Sequence, residues 1–360
     1  MAPNTKLILV IGATGAQGQA VIDALLSPNK SGQASPWRVR ALTRDPTSSH
    51  AQALAARGVE SVRAGSFSDA VAVATALDGA YGAWVNTDGF TVGEAEEIYA
   101  GMRIFEIAKQ TASMRHYVWS NLRYVFKKAG YNTEYKAEHM DAKGRVGEWL
   151  NAQPSDVGPD GLAWSQVTTG PYMDTLQGGI FSPLNVRADG TVVFAAPVEG
   201  GRVPLIALKD LGWWARWTFD HREETSAREL NVTTERVDWE YLVATFTKVT
   251  GKRAVFKRLT LDEWWANFDQ EKIQNPIANA KQRGDGSTTI RENISRFWRV
   301  LRDDVIDKDM EWIRSVHPDT YTLERWMREN EYDGQGTSIL KNTQDGKNLF
   351  WFNPEVAASL

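Results

Sequence analysis

The sequence predicts an α/β protein: a doubly wound parallel sheet followed by a second, smaller and mostly helical domain. Three observations predict it. The first half alternates short apolar runs with helical patterns, three glycines spaced three apart stand where the first run meets the first helix, and past a Gly-Pro break near residue 170 helices dominate. A length of 360 residues is itself a soft prior for two domains, because single cores stop growing below that size.

In "KLILVIGATGAQGQAVIDALL" (6–26), Leu7 to Ile11 reads as the first strand. The helix after the glycines repeats apolar residues at Ala20, Val21, Ala24 and Leu25, a one-sided stripe, and Pro28 ends it. The turn-forming stretch 27–36 is a surface loop. Strands follow at Arg38–Leu42, Ser61–Ala64, Gly82–Asn86 and 116–120, with helices near 69–78 and 94–111 between them. Residues 155–175 read as a loop, a strand and the Gly-Pro break. Beyond them, Thr260 and Glu263 form the capping pair of one helix, and another runs from about Asp238 to Val249 with Gly251 in the position of a left-handed cap. The last stretch, 337–360, lacks periodicity but carries Phe350, Trp351 and Phe352, an aromatic cluster expected to dock.

Composition narrows the function classes. With 42% hydrophobic and 24% charged residues the chain is that of a soluble globular protein, and a net charge of −4 with scattered Lys and Arg gives no basic stripe for nucleic acid. No apolar run approaches a membrane span, and no basic, hydrophobic leader opens the chain, so no membrane partner is expected and the chain reads as cytoplasmic. The absence of cysteine removes disulfides, thiolate nucleophiles and thiol redox sensing; five scattered histidines without His-Glu-x-x-His leave no metal site. The sequons at Asn231 and Asn293 matter only in a secreted chain.

Gly12, Gly15 and Gly18 lie at a strand–helix junction, the context in which such spacing cradles a pyrophosphate. Gly12 permits the tight turn, Gly15 lets the backbone approach the phosphates, Gly18 lets helix pack on strand, and the helix N-terminus faces the anion. At the end of the second strand, where an NAD site offers a carboxylate, the chain reads "RVRALTRDP" and places Thr43 and Arg44. A guanidinium there favours a ribose 2′-phosphate, hence NADP(H).

The segments "VIGATGAQG", "VRALTRDP", "DGAYGAWVNTD" (78–88), "HYVWSNL" (116–122), "HMDAKGRVGEWL" (139–150), "TTGPYMDT" (168–175), "VPLIALKDLG" (203–212) and "VTGKRAVFKRLTLDEWW" (249–265) together resemble the NmrA-like family of atypical short-chain dehydrogenases/reductases, from about residue 5 to 330. The resemblance implies a Rossmann domain over 1–170, with 203–220 returning to it, a substrate domain from 171–202 and 221–336, and a 337–360 tail outside the match. NADP would lie in the cleft between the domains. Gly12, Thr14, Gly15, Ala16, Gln17 and Gly18 would hold the pyrophosphate and Arg44 the 2′-phosphate. Ser66 and Phe67 would border the adenine; many relatives carry an acid where Ser66 stands. Asn86, Thr87 and Lys143 would line the nicotinamide ribose, and Pro171, Tyr172 and Met173 would cover the ring.

The same superfamily usually pairs a tyrosine with a lysine four residues on, the lysine easing proton transfer at the phenol. Here Lys143 stands at the lysine's place, but position 139 is histidine. Tyr124 and Lys128 repeat the spacing, yet Tyr124 stands only four residues after Ser120 and reads as a loop residue beside the cleft. The candidate catalytic set is therefore Lys143, Tyr172, Tyr124, Arg123 and His139, with Asp174 beside them. Fifteen tryptophans, among them Trp213, Trp214, Trp217, Trp264, Trp265, Trp298, Trp312 and Trp326, suit either helix cores or a pocket for a bulky ring, and most read as core. Three functions fit: an NADPH-dependent reductase of an aromatic or alkaloid-like small molecule with Lys143 as proton donor, a cyclase of the Pictet–Spengler type that keeps NADP as scaffold, and a regulator following the NADPH to NADP ratio through a protein partner.

Overall fold

A computed structural model describes residues 5–29, 31–344, 346 and 350–360. The chain forms two compact units. One comprises the residues up to Tyr124 with Ala142–Thr169 and Leu208–Val232, the other Val125–Asp141, Gly170–Ala207 and the chain from Thr233.

The first unit is built on seven parallel strands: β1 (Lys6–Ile11), β2 (Trp37–Thr43), β3 (Ser61–Ala64), β4 (Gly82–Val85), β5 (His116–Asn121), β6 (Ala163–Thr168) and β7 (Arg228–Asn231), in the order β7-β6-β5-β4-β1-β2-β3. All residues of β4, β5 and β6 are buried, as expected of strands covered on both faces. Strand order reverses beside β1, so the carboxyl ends of β1 and β4 frame the crevice where such sheets bind ligands.

Helices α1 (Ala16–Leu26), α2 (Ser49–Ala56), α3 (Ala70–Leu77), α4 (Glu94–Gln110), α5 (Glu138–Leu150) and α6 (Leu208–Asp220) accompany the sheet, α5 starting in the other unit. Ser48 caps α2 and Asp69 caps α3 by accepting backbone N–H bonds. The core between sheet and helices includes Phe105, Tyr117, Trp119 and Trp164, with Phe105 edge-on to Tyr117 at 5.0 Å. Strand β7, within the 221–336 span expected to lie in the second domain, pairs with β6 from Arg228↔Ser165 to Asn231↔Thr168. Only Leu230 of its four residues is buried, so no apolar run marks it in the sequence.

The second unit holds the helices Trp239–Thr250, Ile290–Arg302, Met310–Val316 and Leu323–Glu329. Asp238 caps the first, Gly251 ends it at φ +72°, and Thr260 with Glu263 forms a full capping box. Two small sheets accompany them, one of Asn185–Val186, Val192–Ala196 and Ala254–Arg258, the other of Val203–Leu205 and Glu235–Val237; strands of two to five residues carry too little periodicity to read. Trp239, Trp264 and Trp298 are wholly buried, Phe181 standing 5.4 Å from Trp298 and 5.8 Å from Trp239. Trp214, Trp265 and Trp326 are also core, while Trp213, Trp217 and Trp312 are half-buried. The tail docks within this unit: Phe352 packs on Phe268 at 4.9 Å, the Asp269 N–H donates to the Trp351 carbonyl at 2.8 Å, and the Lys272 ammonium lies 3.7 Å over the Trp351 ring.

Candidate functional site

At the end of β1, Gly12 adopts φ +80°, and a Cβ there would lie 2.7 Å from the Asn86 carbonyl oxygen. Gly15 donates its N–H to the Gly12 carbonyl at 3.1 Å, and a Cβ on Gly18 would lie 2.2 Å from that same oxygen. The turn closes on itself only with glycine at both places. Gly15 is also the N-cap of α1; no side chain caps this end, and no acid occupies its first turn. The helix thus offers its first N–H groups and the positive end of its dipole to an anion, as a pyrophosphate cradle requires. Thr14 and Gln17 are buried beside it, Gln17 Oε1 accepting from the Ser120 hydroxyl at 2.7 Å, and Ala16 opens the helix.

Past β2, Thr43 is buried and Arg44 is exposed, with no ion pair or side-chain hydrogen bond among the described residues. The neighbouring Asp45 carboxylate accepts from the Thr47 N–H at 2.8 Å and from its hydroxyl at 2.6 Å, which ties it into its own turn. Past β3, Ser66 accepts the Ser68 N–H at 3.2 Å and Phe67 leans on the hydrophobic core.

Past β4 stand Asn86 and Thr87, both bonded to Lys143. The lysine Nζ donates to Asn86 Oδ1 at 3.1 Å, to the Thr87 carbonyl at 2.8 Å and to Thr87 Oγ1 at 3.0 Å. It also pairs with Glu97 Oε1 at 3.1 Å and lies 5.3 Å over the Trp119 ring. Lys143 reaches this point because α5 packs on α4 at Gly101, where a Cβ would be 2.8 Å from Val146. Glu97 escapes sequence reading: α4 opens with Glu94, Glu96 and Glu97, and only packing tells which acid turns inward.

Past β5, the Arg123 guanidinium donates to both Glu229 oxygens at 3.0 Å, which ties β5 to the edge strand and commits the arginine. The Tyr124 hydroxyl accepts from Arg145 Nε at 3.1 Å, and the Arg145 guanidinium lies 5.5 Å over its ring.

The remaining candidates belong to the second unit. His139 Nδ1 accepts from the Asn293 amide at 2.8 Å and its ring meets Phe297 edge-on at 5.1 Å. Burial pushes this imidazole down to about 4, so it is neutral near pH 7. Tyr172 pairs with Ile206 as an isolated bridge, flanked by the Ile206 N–H to Pro171 carbonyl bond at 2.9 Å and the Met173 N–H to Ile206 carbonyl bond at 2.8 Å. The first unit therefore gathers Gly12 to Gly18, Arg44, Ser66, Phe67, Asn86, Thr87, Lys143, Arg123 and Tyr124 along the carboxyl edge of one sheet. Among the described residues no cluster could hold a metal ion, and no helix is long and apolar enough to cross a membrane.

A profile of the NmrA-like family matches residues 4–311. The chain is 30% identical over 287 residues, 75% of its own length and 79% of the relative's, to the NmrA-like family domain-containing oxidoreductase hkm9 of Aspergillus hancockii. It is 28% identical over 279 residues, 72% and 77% of the two chains, to the corresponding oxidoreductase malD of Malbranchea aurantiaca. Among solved structures, NmrA, a negative transcriptional regulator in complex with NAD, superimposes with TM-score 0.66 at 18% identity over 93% of this chain and 99% of that one. The NADPH-dependent quinone oxidoreductase QOR2 of Escherichia coli, complexed with NADPH, gives TM-score 0.65 at 18% identity over 90% and 99%. At such identity the structural likeness shows the fold alone.

Proposed function

The chain belongs to the NmrA-like family, and from that premise we propose that it is a cytoplasmic NADP(H)-binding oxidoreductase acting on a bulky aromatic or alkaloid-like small molecule. The observation that carries the nucleotide choice is Arg44: a free guanidinium at the end of β2, beside a carboxylate tied into its own turn. The oxidoreductase relatives and the nucleotides named in the two solved structures support the same reading.

Gly12, Thr14, Gly15, Ala16, Gln17 and Gly18 would hold the pyrophosphate, Arg44 the 2′-phosphate, and Ser66 and Phe67 the adenine. Asn86, Thr87 and Lys143 would line the nicotinamide-side ribose, with Pro171 and Tyr172 covering the ring. A bound NADPH would supply the hydride. The chain must then deliver a proton, and the hydroxyls of Tyr124 and Tyr172 are the groups suited to it, because the Lys143 ammonium is fully engaged and His139, neutral near pH 7, has no imidazolium proton to give.

One observation favours a second reading. No tyrosine stands four residues before Lys143, and all three ammonium protons have protein acceptors. A nucleotide kept as scaffold for an acid/base cyclisation, or as a regulatory signal, needs no such tyrosine. Native mass spectrometry of the purified protein, followed by NADPH absorbance against a panel of aromatic carbonyls and imines, separates the readings. Consumption of NADPH establishes the reductase; product without consumption establishes the cyclase; bound nucleotide with neither leaves the regulator, and absence of any nucleotide binding removes all three.

A further inference from the structure

Glu97 is a buried acid beside the nucleotide site that the nucleotide reading leaves without a task. Its side chain has no solvent exposure, and Oε1 lies 3.1 Å from Lys143 Nζ while accepting the Thr87 hydroxyl at 2.7 Å. Oε2 has no hydrogen-bond partner among the described residues; it sits against Gly89, where a Cβ would lie 2.2 Å away. A carboxylate with one oxygen idle in the interior is costly, and a single ion pair offsets that cost only in part. Packing alone would be served as well by an apolar side chain.

Its charge has one nearby target. Asn86 Oδ1, the Thr87 carbonyl and Thr87 Oγ1 are neutral acceptors that fix the direction of the Lys143 ammonium; Glu97 is the anion that holds it. The backbone of Asn86 in turn abuts Gly12, so lysine, strand end and glycine turn form one connected group at the switch point of the sheet.

We propose that Glu97 is a positioning residue: its charge pins the Lys143 ammonium to the end of β4, on the nicotinamide-ribose side of the dinucleotide, where the lysine acts as a fixed cation. This rests on the dinucleotide reading above. The adenine half, served by Arg44, Ser66 and Phe67, makes no contact with Glu97 or Lys143 among the described residues.

Calorimetric titration of wild type, Glu97→Gln and Glu97→Asp with NADPH and with 2′,5′-ADP, which lacks the nicotinamide riboside, tests it. In Glu97→Gln, NADPH should bind about tenfold more weakly, the worth of roughly one charge-assisted contact, while 2′,5′-ADP binds as in wild type. Glu97→Asp keeps the charge one methylene further back and should lose less. Equal loss of both ligands, unchanged NADPH affinity, or a loss in Glu97→Asp as large as in Glu97→Gln overturns the proposal. Should Glu97→Gln fail to fold, Glu97→Asp decides alone, by whether its loss is confined to NADPH. Wild type that binds neither ligand refutes the dinucleotide reading itself, a result distinct from these.

Discussion

The Lys143 ammonium lies 3.1 Å from a Glu97 carboxylate that no solvent reaches. Removing one member of such a pair strands the other as an uncompensated buried charge, at a cost of about 3–5 kcal/mol. Lys143→Ala should therefore lower stability by that order in urea unfolding followed by circular dichroism. The double variant Lys143→Met with Glu97→Gln, which removes both charges, should recover more than half of the loss. Lost turnover in Lys143→Ala bears on catalysis only in protein shown to be folded.

Arg44 is exposed and has no ion pair among the described residues, so its removal costs the fold little. Arg44→Ala should weaken NADPH by at least tenfold, on the order of one charged hydrogen bond or more, and leave NADH nearly unchanged. Equal losses in paired calorimetric titrations would take the arginine out of the 2′-phosphate site.

A methyl group on Gly18 would meet the Gly12 carbonyl at 2.2 Å, a backbone atom that cannot swing aside. Gly18→Ala should therefore push α1 off the turn. Nucleotide affinity should fall by more than tenfold while thermal unfolding shifts by only a few degrees, since β1 and its sheet partners are untouched. Fluorescence titration beside a thermal melt reads both.

Two imidazoles set a pH dependence. His116 is wholly buried, with Nε2 2.8 Å from the Ser165 hydroxyl, and burial, aided by the Arg222 charge, pushes it down to about 3. Burial pushes His139 down to about 4. Both folded values lie below the ordinary 6.5, so between those values and 6.5 the unfolded chain binds the extra protons. Stability should therefore be full above pH 6.5 and fall as pH drops, by about 1.4 kcal/mol per pH unit for each imidazole once well below 6.5. The His116 contribution extends to lower pH, because its folded value lies lower. His116→Gln should flatten the slope in urea midpoints measured from pH 7 to 4.5.

What the sequence made legible was local. The glycine turn, the Asp238 cap, the Thr260 and Glu263 box and the Gly251 terminus each depend on residues within six positions of one another, and each stands where the spacing puts it. The two small sheets and β7 were not legible, because strands of two to five residues gain their stability from partners distant in the chain. Glu97 is hidden for a related reason. Glu94, Glu96 and Glu97 look alike in the sequence, and it is the close approach of α5 at Gly101 that gives one of them a buried lysine.

Strand β7 has a consequence for how the chain is made. It seals the edge of β6, yet about sixty residues separate the two strands, so β6 emerges from synthesis with one row of backbone N–H and C=O groups unpaired. Until Asn231 has been released the nascent sheet presents an open edge with buried-type residues along it, a surface suited to pairing with another unfinished chain. Fragments ending before Arg228 should thus aggregate where the whole chain does not, and chaperone demand should peak late in synthesis.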